Sequence, residues 1–232
     1  MHVIITGASK GLGKAMATQF AAAGNTLLLC ARNEYNLYEL VNELQTNYPQ
    51  SAVHAKAADM SVTEHVTAFA NWCLSFGTPG IIINNAGQFI PGSVHNEPDG
   101  ALEQMIETNL YSAYHLTRLL LPAMMQVKEG HIFNICSIAS IQAYNNGGAY
   151  SISKFALLGF SKNLREEMKP YNIKVTAVIP GAAYTDSWSA SGIDAKRMME
   201  ANDVAGMVFA VARLSAQACV EEIVMRPQLG DL

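Results

Sequence analysis

Residues 1–23 constrain this chain more than any other stretch. His2-Val3-Ile4-Ile5 is an apolar run of strand length, Thr6-Gly7-Ala8-Ser9-Lys10-Gly11-Leu12-Gly13 is a glycine-rich turn, and Lys14 to Ala23 is built from good helix formers. A strand that meets a helix through a glycine turn makes a phosphate site. The first N–H groups of a helix lack an internal acceptor, and the helix dipole adds positive potential beside them. Glycine lets the backbone turn and lets a pyrophosphate approach it. Two readings stay open at this point. The Gly7-x-x-x-Gly11-x-Gly13 spacing suits a phosphate-binding turn. Gly7-Ala8-Ser9-Lys10-Gly11 also fits G-x-S-x-G, the strand-to-helix elbow that exposes a nucleophile, here Ser9.

Strand and helix patterns alternate to the end of the chain. Strands are expected at Thr26–Cys30, Ala52–Lys56, Gly80–Asn84, His131–Cys136, Ile173–Val178 and Glu221–Met225. Leu37, Leu40, Val41 and Leu44 mark one face of a helix after the second strand. Ser61-Val62-Thr63-Glu64 reads as a capping box for a helix reaching about Phe76. A long helix is expected over Ala101–Gln126, kinked or ended by Pro122, and others over Ala149–Lys169 and Asn202–Leu214. The strands are apolar on both faces, as in a parallel sheet covered by helices on each side. With no internal repeat or linker, residues 1–232 are read as a single doubly wound α/β domain, with a lid and pocket segment at about 182–201.

Composition excludes several alternatives. A net charge of −4 and the absence of any Lys/Arg run argue against a nucleic-acid or anionic-membrane surface. Apolar runs are too short for a membrane span, and the first strand at residue 2 leaves no room for a signal peptide. Cys30, Cys73, Cys136 and Cys219 form no C-x-x-C pair and are expected as reduced, mostly buried thiols of a cytoplasmic protein. The six histidines form no metal-binding motif, so no metal is expected.

In a doubly wound sheet the ligand lies beyond the carboxyl ends of the strands. After the second strand, where a carboxylate would bind a ribose 2′-hydroxyl, stands Ala31-Arg32. A guanidinium there suits a 2′-phosphate, and Lys10 could add a second charge, so NADP(H) is expected over NAD(H). Glu34, the nearest acid, is assigned to the next helix's first turn. Asp59 and Met60 follow the third strand, as an adenine contact or an ordinary turn. Asn84-Asn85-Ala86-Gly87 follows the fourth, as a cofactor wall or a turn. Ser137 follows the fifth, and Tyr150 and Lys154, four apart, share one helix face.

Thr6-Gly7-x-x-x-Gly11-x-Gly13, Asn84-Asn85-Ala86-Gly87, Asn109, Ser137, Tyr150-x-x-x-Lys154 and Pro180-Gly181-x-x-x-Thr185 occur together and in this order. The chain resembles the short-chain dehydrogenases/reductases from His2 to about Met225. The resemblance implies a Rossmann-like sheet of about seven parallel strands and hydride transfer between NAD(P) and a carbonyl or alcohol carbon. It implies Tyr150 as acid/base, Lys154 as its partner and ribose contact, Ser137 as carbonyl anchor and Asn109 as the fourth member, fixing helix geometry and a water. Gly7, Ser9, Lys10, Gly11, Leu12, Gly13, Arg32, Asp59, Met60, Asn85, Ala86, Gly87, Pro180, Gly181 and Thr185 would hold the cofactor.

The chemistry agrees with those roles. A free tyrosine keeps its proton up to about pH 10, so exchange near neutrality needs a positive neighbour. The Ser137 hydroxyl can donate where negative charge develops on oxygen. The elbow reading weakens, because the last histidine, His131, precedes its strand and so falls at the wrong edge. A non-catalytic NADP sensor on the same fold remains as an alternative, although Tyr150, Lys154 and Ser137 are all present.

Gln88, Phe89, Ile138, Gln142, Tyr144, Tyr184 and Trp188 are candidates for the substrate wall. None carries a fixed charge, so a small, uncharged carbonyl compound is expected. The segment from Thr185 to Glu200 is expected to move on cofactor binding, and a mobile lid packing on itself is the alternative role for Tyr184 and Trp188. The helix Tyr150–Leu164 is apolar around most of its girth, so a homodimer or homotetramer is expected. The C-terminal residues Glu222–Leu232 depart from the Val-Asp-Gly-Gly-like ending of acyl-carrier-protein reductases, which puts a ketoacyl role in doubt.

Overall fold

The computed structural model describes residues 1–185 and 192–232. Strands β1 (His2–Thr6), β2 (Thr26–Cys30), β3 (Val53–Ala55), β4 (Ile81–Asn84), β5 (Gly130–Ile135) and β6 (Ile173–Pro180) alternate with helices. These are α1 (Gly11–Ala22), α2 (Glu34–Asn47), α3 (Thr63–Leu74), α4 (Ala101–Ile106), α5 (Ser112–Val127) and α6 (Gly148–Met168). Then come β7 (Ala183–Tyr184), β8 (Met199–Glu200), α7 (Ala201–Ala212) and β9 (Glu222–Met225).

Among the described residues, seven strands form one sheet in the order β3-β2-β1-β4-β5-β6-β9. Every pairing in it is parallel. The alternation of strand side chains builds two cores. Val3, Ile5, Leu27, Leu29, Ile81 and Ile83 pack against α1, α2 and α7. Ile4, Leu28, Cys30 and Ile82 point the other way, into a core with α3, α5 and the end of α6. Apolar residues at both parities are what such a two-sided sheet requires.

The order reverses at β1. The chain runs outward from β1 to β3, then returns to lay β4 on β1's other side, and a crevice opens between their carboxyl ends. The two turns there are pressed together. Gly7 has φ +62°, and a Cβ on it would lie 3.1 Å from the Ala86 backbone. A Cβ on Gly13 would lie 2.2 Å from the Gly7 carbonyl oxygen, so only glycine lets α1 start so close to the turn.

Three local expectations are corrected, and one pairing is new. Pro122 neither ends nor breaks its helix: α5 runs on to Val127. The proline forfeits one backbone bond, but Leu116, Thr117, Leu120, Leu121 and Met124 are buried along this helix and hold it. The long helix is interrupted elsewhere, by a π turn at Glu107–Tyr111 that separates α4 from α5. Ser61 does not cap α3, because its hydroxyl donates to Asp59 at 2.7 Å, and the helix starts at Thr63 behind Val62. The short parallel ladder of β7 on β8 was not expected from sequence. Among the described residues no helix is long and apolar enough to cross a membrane.

Candidate active site

The crevice floor is set by one hydroxyl. Thr6 Oγ1 accepts from the N–H groups of Asn85 at 3.0 Å and Ala86 at 2.9 Å. The Asn85 side-chain amide donates to the carbonyls of Thr6 at 2.9 Å and Gly7 at 3.0 Å. Both of its amide hydrogens therefore serve the glycine turn. Gly11 (φ +53°) and Gly13 open α1, with half-buried Ser9 and Leu12 beside them. Thr185 reaches this turn from beyond β6, its Cγ2 lying 3.0 Å from where a Gly11 Cβ would be. Gly181 follows Pro180, the last residue of β6, and its N–H bonds to the Met225 carbonyl at 2.7 Å.

The far end of the crevice holds the groups expected to discriminate the cofactor. Lys10 occupies the N-cap position of α1 and is exposed, as is Arg32 beyond β2. Asp59 accepts from Ser61 N–H at 3.0 Å and from its hydroxyl. Burial pushes the Asp59 carboxyl up. The two Ser61 bonds, then the Arg32 and His65 charges, outweigh it and hold the group below its ordinary value. Arg32 and Asp59 thus stand close enough to feel each other's charge. The Met60 side chain is buried in the α3 core. Glu34 lies in the first turn of α2, as expected, with Asn33 capping that helix.

At the other end, α6 carries Tyr150 and Lys154. Lys154 is 6% exposed, and its Nζ donates to the Ile135 carbonyl at 2.8 Å, which pins the helix to the end of β5. The same Nζ stands 5.8 Å from the centre of the Tyr150 ring and 3.7 Å from where a Gly87 Cβ would be. Ser137, two residues past Ile135, opens a 3₁₀ turn at Ile138–Ser140, and its Oγ accepts from Ala139 N–H at 3.2 Å. With the oxygen accepting, the hydroxyl hydrogen remains for a further acceptor.

Asn109 sits in the π turn and is 1% exposed. Its amide donates to the Gln88 carbonyl at 3.0 Å and to Ser153 Oγ at 2.9 Å, and its Oδ1 accepts from Gln88 N–H at 2.8 Å. It clamps the β4–α4 loop to α6. Sequence periodicity missed this turn, and the one available signal was a polar residue on an apolar face.

The substrate-wall candidates divide. The Phe89 ring meets Tyr150 edge-on, centroids 4.9 Å apart. Gln88 turns its side chain to the Gln104 carbonyl at 3.2 Å. Tyr144 is pushed up to about 12, by burial and then by the negative charge Tyr150 would carry, so these two phenols are neighbours. Ile138 lies on the 3₁₀ turn, Gln142 accepts from the Arg226 guanidinium at 3.1 Å, and Tyr184 is exposed on β7. Trp188 lies outside the described residues. His131 is at the start of β5, on the edge of the sheet opposite Ser9, which removes the geometry an elbow serine needs.

A glycine-bounded crevice thus opens at the β1/β4 switch point, with Tyr150 and Lys154 of α6 at one end. The model of the short chain dehydrogenase family matches residues 1–196, and the chain belongs to that family. It is 39% identical over 189 residues to a dehydrogenase/reductase SDR family member 7B of Xenopus tropicalis, a match covering 79% of this chain and 61% of that longer protein. It is 29% identical over 239 residues to a sepiapterin reductase of Chlorobaculum tepidum, covering 99% and 97%. Among solved structures, L-sorbose reductase from Gluconobacter frateurii, complexed with NADPH and L-sorbose, superposes with TM-score 0.90 at 27% identity, covering 100% of this chain and 96% of that one. A metagenomic short-chain oxidoreductase in complex with NADP gives 0.84 at 29% identity, covering 98% and 97%.

Proposed function

We propose that this protein is an NADP(H)-dependent oxidoreductase acting on a carbonyl or secondary alcohol of a small, uncharged substrate, with Tyr150 as acid/base. The observation that carries this reading is the buried Lys154 ammonium, bonded to Ile135 at 2.8 Å and 5.8 Å from the Tyr150 ring centre. Tyr150 and Lys154 stand one helical turn apart on α6, so one helix presents both the ammonium and the phenol at the crevice.

The residues present fit the cofactor. Gly7, Gly11 and Gly13 let the turn press against Asn85, Ala86 and Thr185 where no Cβ would fit, and the N-terminus of α1 opens beside it. Arg32 and Lys10 supply the positive charge a 2′-phosphate needs. When bound, the nicotinamide supplies or accepts the hydride. Ser137 donates a hydrogen bond to the substrate oxygen. Tyr150 gives that oxygen a proton as the alcohol forms and takes it back in the reverse direction. Lys154 steadies the phenolate and offers its remaining hydrogens to the ribose hydroxyls. Asn109 acts by shape, holding Gln88 and Ser153, and keeps one Oδ1 lone pair for water. Phe89 and Tyr144 wall the substrate beside Tyr150.

The decisive experiment is a panel of diketones, quinones, aldehydes and a ketoacyl thioester with NADPH and with NADH. NADPH-dependent reduction of an uncharged member, lost in Tyr150→Phe, supports the reading. Faster oxidation of NADH would reject the Arg32 argument.

A second copy of the chain is proposed to cover α6. Ile152 and Phe155 are 45% and 46% exposed on one face, and Gly159 on the same face has open space where a side chain would be. Gel filtration should give a dimer or tetramer at micromolar concentration, and Phe155→Glu should shift it toward monomer.

A further inference from the structure

Helix α6 begins without a local cap, since Gly147 has no side chain to offer its first N–H groups. A residue 52 positions earlier supplies one. Glu97 Oε2 accepts from the Ala149 N–H at 2.9 Å, immediately ahead of Tyr150. Gly148, at φ +25°, makes room for it. A Cβ there would lie 2.5 Å from Glu97 Oε2 and 2.5 Å from the Gly92 carbonyl oxygen. Two more bonds fasten the same loop to the segment before α6. Gly92 N–H donates to the Asn146 carbonyl at 3.2 Å, and the Ser93 hydroxyl to Asn146 Oδ1 at 2.9 Å. The other end of this loop carries Gln88, clamped by Asn109, and Phe89, whose ring meets that of Tyr150. One loop therefore meets the start of α6 twice, at the Tyr150 ring and at the Ala149 N–H just before it.

We propose that Glu97 is a positioning residue for Tyr150. Its carboxylate caps α6 from a distance, suits the positive end of the helix dipole, and fixes the first helical turn and so the direction of the phenol. The proposal rests on Tyr150 being the acid/base. It also ties the substrate loop to the acid, so that a loop displaced from α6 leaves the phenol misdirected.

Four variants test it, with steady-state kinetics, NADPH affinity and melting temperature measured for each. Glu97→Gln keeps an acceptor oxygen at the same reach, and its kcat should stay within about twofold of wild type. Glu97→Asp keeps the charge but falls one methylene short, and Glu97→Ala removes the cap. Both should lower kcat roughly tenfold, because small misplacements of a reacting group are costly, with NADPH affinity unchanged. A kcat for Glu97→Ala within about twofold of wild type would overturn the proposal, as would equal losses in Ala and Gln. Tyr150→Phe separates the two levels. If it retains turnover, the assignment of the acid fails. If it is inactive while Glu97→Ala is not, only the role of Glu97 fails.

Discussion

Lys154 is the residue on which the proposed chemistry turns. It is a charge with almost no access to water, held through one main-chain carbonyl. Such a group is costly unless a partner shares its field, and the proposed partner is one helical turn away. Lys154→Ala is expected to lower kcat by about 10²- to 10⁴-fold, read in the same assay that tests Tyr150→Phe. Arg32 is a different case, an exposed cation near Asp59. Arg32→Ala should weaken NADPH about tenfold, the worth of one charge-assisted bond, and leave NADH unchanged, as measured by cofactor titration. The buried thiols resist ionisation by contrast. Burial pushes Cys30 up to about 12 and Cys136 up to about 11, so almost no thiolate forms near neutrality. Maleimide at pH 7.5 should label the half-buried Cys219 first and leave activity intact.

At the scale of elements, close approach matters more than propensity. Helix α1 meets its turn at a distance only Gly13 allows, so Gly13→Ala should destabilise the fold by about 1–3 kcal/mol in urea unfolding. The glycine turn was legible from residue types, though not the crowding within it, and so were the strands of the main sheet, because apolar runs between turn residues have few other fates. The bond from Lys154 to the end of β5 could not be read from spacing within one helix. What could not be read was tertiary in origin. The π turn around Asn109 exists because that side chain bonds to Gln88 and Ser153, which lie far off in sequence. Pro122 is tolerated because its neighbours are buried, and Ser61 leaves its cap because Asp59 competes for its hydroxyl. The cap on α6 comes from a loop that no local pattern links to it.

Across the whole molecule, the site occupies one edge of the sheet and a pH-sensitive group the other. The Thr176 hydroxyl donates to the Val220 carbonyl at 2.6 Å, so its oxygen accepts from His131 Nε2 at 2.7 Å. The ring proton therefore sits on Nε2, and Nδ1 is buried with no partner among the described residues. Burial, then the Lys174 charge, pushes His131 down from 6.5 to about 3. The folded protein keeps this ring neutral while the unfolded chain protonates it below about pH 6.5. Stability from this group is complete above that pH and declines as pH falls toward 3. Urea unfolding at pH 5 should show a loss of about 2 kcal/mol relative to pH 7.5 that His131→Asn does not share.

The Thr6 hydroxyl has one more consequence. Because it ties β1 to the backbone just past β4, those two strands cannot part to admit or release a nucleotide without losing both bonds at once. The β1/β4 wall is then the fixed side of the crevice. Hydrogen–deuterium exchange should find the Asn85 and Ala86 amides equally slow with and without NADPH.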